Sequence, residues 1–124
     1  FGQAHDMYEF APKAQYTAIV DNWGPYYVRR VQAVLDGTWD SQASWDGLAE
    51  ETVLMAPYTN LPDEVAAQAE ELEQQIMKGE FHPFTGPIVK QDGTQVIGEG
   101  EVLDDGALLG MNYYIQGIDG EIPQ

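Results

Sequence analysis

Ser41 and Ser44 are the chain's two serines, and both lie in a polar loop punctuated by Trp39 and Trp45. Neither sits in a Gly-x-Ser-x-Gly elbow beside a base, so the spacing does not build a hydrolase triad. His5 and His82 stand alone, outside any zinc-ligand spacing, and the absence of cysteine removes thiolate nucleophiles, thiolate zinc sites and iron-sulfur clusters. The expectation is a protein with no metal and no cofactor. Gly98-Glu99-Gly100 is followed by acids rather than by a helix signal, which is wrong for a phosphate cradle. Asp104-Asp105 lacks the ligand order of an EF-hand loop. Twenty-one Asp and Glu supply many carboxylate pairs without singling one out, so an acidic carboxylate-pair hydrolase stays open as an alternative. A protein-interaction module is the other. Asp21-Asn22-Trp23-Gly24-Pro25-Tyr26-Tyr27 is different in kind. An indole for stacking stands beside a carboxylate and an amide that can hydrogen-bond in the plane of a flat heteroaromatic ligand. The same aromatic residues could instead pack a strand-to-helix corner.

The elements that would position this cluster are legible in the flanking sequence. Tyr16-Thr17-Ala18-Ile19-Val20 reads as a buried strand, which places the cluster at its carboxyl end, where α/β sheets gather ligands. Pro25 suits the start of a helix over 25–36, with Asn22 or Gly24 at or before its cap and Gly37 after its end. Thr52-Val53-Leu54-Met55-Ala56 reads as a second buried strand. A second helix follows, with acids in its first turn, a Val65, Ala69, Leu72, Ile76 stripe, and a stop at Lys78-Gly79. Its Glu70, Glu71 and Glu73 form a solvated face. Beyond Phe81 the chain is rich in glycine and proline. Ile88-Val89-Lys90 and Gln95-Val96-Ile97 flank an Asp-Gly turn and predict a hairpin, and a turn or two of helix is expected around Asp104 to Leu109.

Composition bounds the partners. The 124 residues, 44% of them hydrophobic, are enough for one ordinary globular domain. A net charge of −16, with five Lys and Arg, leaves few cations to neutralise phosphate, so nucleic acid and anionic membrane surfaces fall to the bottom of the list of partners, and no nucleic-acid partner is expected. No apolar run approaches the roughly 20 residues needed to span a bilayer, and Phe1-Gly2-Gln3-Ala4-His5 does not read as a signal peptide. Phe1 in place of an initiator Met reads as the start of a processed product or of a piece of a longer chain.

The Asp21–Tyr27 junction, together with Phe1-Gly2-Gln3-Ala4-His5-Asp6-Met7, Gly79-Glu80-Phe81-His82-Pro83-Phe84-Thr85-Gly86-Pro87-Ile88 and Met111-Asn112-Tyr113-Tyr114-Ile115-Gln116-Gly117-Ile118-Asp119-Gly120, resembles the basic-membrane-protein (PnrA-like) family. These are purine- and purine-nucleoside-binding lipoproteins or periplasmic solute-binding components of ABC transporters. The resemblance implies an α/β fold, the C-terminal portion of a type I periplasmic-binding protein with two Rossmann-like lobes. Residues 1–80 would supply strands and helices of the lobes, and 81–124 a tail that braces them and contains the hairpin. By the same resemblance the two predicted strands belong to two different sheets. It also implies a non-catalytic protein, a permease partner and a location in the periplasm or lipid-anchored outside the cytoplasmic membrane.

The resemblance makes Asp6, Asp21, Asn22 and Trp23 the candidate ligand-binding residues. Nucleoside-binding members often read Gly-x-Asp-Ser-Asp-Gln at the first motif and end the next strand with Lys, the pair taken to grip ribose hydroxyls. Ala4 stands at the first Asp and Asp21 at the Lys, while Gly2 and Asp6 match. The departures favour a free base such as adenine over its nucleoside.

Overall fold

A computed structural model of the chain describes residues 1–123. They form two compact units, one of Phe1–Glu80 and one from Phe81 onward. The first is α/β: a three-stranded sheet of β1 (Gly2–Ala4), β2 (Ala18–Asp21) and β3 (Val53–Met55), with helices α1 (Trp23–Leu35) and α2 (Asp63–Met77). β1 runs parallel to β2 with Gly2 opposite Ala18 and Ala4 opposite Val20. A side chain at Gly2 would meet His5 O at 2.6 Å and Ala18 Cβ at 2.9 Å, so glycine is what lets β1 lie this close. Ala4 ends β1 in the left-handed region, φ +63. This is an uncommon conformation for a residue with a Cβ, and it stands at the carboxyl end of β1.

The two strands assigned above to different sheets are neighbours in one. β3 pairs antiparallel with β2, Ile19 opposite Met55 and Asp21 opposite Val53. An antiparallel neighbour must start where β2 ends, so the chain leaving α1 has to climb back along the helix. Both arginines of α1 hold it there: Arg30 donates to Asp40 O at 2.6 Å and lies 5.8 Å from the Trp39 ring centroid, and Arg29 pairs with Asp46 at 2.6 Å. Asn22 N–H to Thr52 O and Ala56 N–H to Ala18 O, both 2.8 Å, close the two ends of the ladder.

Helix α1 starts at Trp23, two residues before the predicted Pro25, and ends one residue early; Asn22 is its N-cap residue. α2 runs to Met77 with Asp63 and Glu64 in its first turn. The strands are shorter and more open than the sequence suggests. Thr17, Ala18 and Ala56 are buried, but Ile19 and Leu54 are 48% and 40% exposed on opposite faces of the sheet. Tyr27, Val28, Val31, Val34 and Leu35 form an exposed apolar face on α1, because no layer of unit 1 covers it. Under α2 the stripe residues Ala69, Leu72 and Ile76 line a hollow of about 270 Å³ with Phe1, Met55 and Tyr58. Tyr58 donates to Glu73 at 3.2 Å, and burial, with the Glu73 charge, pushes its pKa up to about 12.

The centre of this unit is hydrogen-bonded as much as apolar. Thr17, 2% exposed, donates to Ala56 O at 2.7 Å, and Gln15 Nε2 donates to Thr17 O at 2.8 Å. Thr17→Val keeps the shape and orphans the Ala56 carbonyl. The expected loss is about 1–3 kcal/mol, read as a lower midpoint in denaturant unfolding; an unchanged midpoint would show that water replaces the hydroxyl.

In the second unit β4 (Ile88–Val89) and β5 (Gln95–Ile97) pair antiparallel as the predicted hairpin. Asp92 Oδ1 accepts from Thr94 N–H at 2.8 Å, which holds the Asp92 carboxyl below its usual pKa. Thr85–Val102 and Lys90–Ile115 bridges extend the pairing. Helix α3 (Asp105–Leu109) is capped by Asp104, whose side chain accepts from Ala107 N–H at 2.8 Å.

Candidate functional site

The parallel pairing of β1 and β2 puts their carboxyl ends on one edge, so Asp6, just past β1, and Asp21-Asn22-Trp23, at the end of β2, leave the sheet on the same side. This is the edge at which open α/β sheets bind ligands. Side-chain placement then separates the four predicted residues. Asp6 Oδ1 accepts from Tyr8 N–H at 3.0 Å and from Gln15 Nε2 at 3.4 Å, shaping the turn after β1. Asp21 is exposed on the last residue of β2. Asn22 donates through Nδ2 to Glu51 O at 2.8 Å, which ties the start of α1 to the residue before Thr52.

Trp23 is both a packing residue and an open surface. Its indole meets the Tyr26 ring edge-on at 5.8 Å and the tilted Tyr27 ring at 6.3 Å. Half of the residue, 49%, stays exposed. It lines a pocket of about 270 Å³ with Tyr26, Ser44, Asp46 and Thr52. The pocket thus joins the start of α1 to the loop that climbs beside it.

Tyr26, Ser44, Asp46 and Thr52 escape a reading by motif, because Ser44, Asp46 and Thr52 lie 18 or more positions beyond Tyr26 and share no spacing rule with it. A signal does exist: Arg29 on α1 and Asp46 in the polar loop carry opposite charges, which suits a loop laid along the helix. Asp46 Oδ2 accepts from Arg29 at 2.6 Å and from Thr52 Oγ1 at 3.2 Å. Its other oxygen takes no hydrogen bond among the described residues.

Elsewhere His82 Nδ1 accepts from Phe84 N–H at 3.2 Å, and no group of three or more His, Asp or Glu gathers to hold a metal ion among the described residues. No helix there is long and apolar enough to cross a membrane.

Comparison with known proteins extends this geometry. The profile of the family described as ABC transporter substrate-binding protein, PnrA-like, matches residues 1–82. The whole chain is 58% identical to a purine-binding protein of Brucella abortus, of which it spans 35%. Over 103 residues, 82% of the chain, it is 24% identical to a protein of Haloferax volcanii named as a candidate ABC transporter glucose-binding protein, of which it spans 24%. The chain therefore covers about a third or less of the length of these relatives. The matched stretch takes in all of the first unit, its sheet, both helices and the Trp23 pocket, and the chain belongs to the PnrA-like family of ABC transporter substrate-binding proteins, which are binding proteins rather than enzymes.

Proposed function

We propose that the protein carrying this chain is the solute-binding component of an ABC transporter, working outside the cytoplasmic membrane, in the periplasm or on a lipid anchor. It takes up a purine base and hands it to a permease. Two lobes close around the base, residues 1–80 contribute the sheet edge described above, and the segment from 81 braces the lobes. The observation that carries the reading is the half-exposed Trp23 indole just past the carboxyl end of β2, in a pocket that Ser44, Asp46 and Thr52 also line. An aromatic plane with acceptors around it suits a flat, nitrogen-rich ring. The purine named for the Brucella relative agrees with that chemistry. Asp21 and Asn22 border the same edge, and Asp6 holds the turn beside them.

Adenine is the ligand favoured over adenosine. Family resemblance puts two ribose-gripping side chains where Ala4 and Asp21 stand, and each missing hydroxyl partner costs on the order of 1–3 kcal/mol. Isothermal titration at the relatives' full length is expected to give adenine at least tenfold tighter binding than adenosine, about 1.4 kcal/mol. Equal or tighter binding of the nucleoside overturns the preference, and no binding of any purine overturns the function.

A further inference from the structure

We propose that Oδ1 of Asp46 accepts the exocyclic N–H of the bound base and so selects a 6-aminopurine over its 6-oxo analogue. The proposal rests on the purine-binding reading above and adds a residue that decides which purine. Three observations support it. Asp46 and Trp23 line the same pocket. Its Oδ2 is held by two donors, the Arg29 guanidinium at 2.6 Å and the Thr52 hydroxyl at 3.2 Å. Oδ1, by contrast, has no partner among the described residues. The buried Thr52 and the Arg29 pair leave the side chain little freedom to turn away. A carboxylate is an acceptor only. It rewards a ring substituent that donates and repels one that presents its own lone pairs.

The Arg29 pair makes the test sharp. In Asp46→Asn the Arg29 guanidinium, which can only donate, requires an oxygen, so the amide oxygen takes the Oδ2 place and the NH₂ group takes that of Oδ1. An acceptor is replaced by a donor at nearly constant shape. Affinities for adenine and hypoxanthine, which differ at position 6 by NH₂ against carbonyl, are to be measured by isothermal titration at the relatives' full length. The unsubstituted protein is expected to prefer adenine by tenfold or more. Asp46→Asn is expected to move the adenine-to-hypoxanthine ratio by at least tenfold toward hypoxanthine, and Asp46→Ala to bring it near one.

If both ligands weaken together in both variants, Asp46 only braces the loop and the proposal is overturned. An unchanged ratio in Asp46→Asn overturns it too, and Arg29→Gln serves as a control that disturbs the brace while retaining Oδ1. Failure of the unsubstituted protein to bind either base would instead bring down the purine-binding reading, and this proposal with it.

Discussion

Gly86→Ala is expected to destabilise the second unit by about 3 kcal/mol, the upper end of what overpacking usually costs. A Cβ on Gly86 would run into the Gly98 carbonyl oxygen and reach the Gly98 carbonyl carbon and Ile97 Cγ1 at 3.0 Å. The first two are backbone atoms, which cannot turn aside as a side-chain tip can. Movement would also break pairings on both sides: Gly86 N–H donates to Glu101 O at 2.7 Å, and Leu103 N–H to Phe84 O at 3.1 Å. Leu103, the buried apolar residue of this unit, is anchored by the second of these. Hydrogen exchange at Gly86, Leu103 and Lys90 reads the effect, with protection expected to fall in the variant. Retained protection at all three would mean that the 98–101 turn shifts to admit the methyl group.

Trp23→Ala is expected to weaken base binding by roughly 1–3 kcal/mol, the range for truncating an aromatic on which a base stacks. Trp23 also packs on Tyr26 and Tyr27, so a loss of fold could imitate a loss of contact. Trp23→Phe separates the two, since it retains a stacking plane while removing the indole's reach. Titration of both variants, with melting temperatures alongside, distinguishes the causes. A lower melting temperature with unchanged affinity per folded molecule would make Trp23 a corner-packing residue only.

Local signals made the helices and the hairpin readable in advance. Apolar spacing set α1 and α2 within two residues, and Asp92-Gly93 set the turn of β4 and β5. Pairing was a different matter. β3 lies against β2 because the 36–52 loop climbs back along α1, and that path depends on Arg29 and Arg30 meeting Asp46 and Asp40. Such contacts join residues 10 and 17 positions apart and leave no periodic trace. β1 was missed for a related reason. Gly2-Gln3-Ala4 has neither alternation nor β-branched residues, and what makes it a strand is the neighbouring β2 edge. The Trp23 end of the pocket was visible as a motif, whereas its far wall became visible only with the loop in place.

The left-handed backbone at Ala4 bears on how ligand choice can change over time. An L-alanine held at φ +63 carries a local conformational cost of on the order of 1–2 kcal/mol. Aspartate and asparagine enter this region more readily, because a short polar side chain can hydrogen-bond locally. The aspartate that nucleoside-binding relatives place here by resemblance would therefore sit more comfortably than the alanine does. New binding functions commonly come with a loss of stability that other substitutions must offset. At position 4 the two pressures run the same way: the step that restores a grip on ribose also relaxes the chain. If the proposed preference for the free base holds, a lineage drifting from base to nucleoside would meet no folding barrier at this residue.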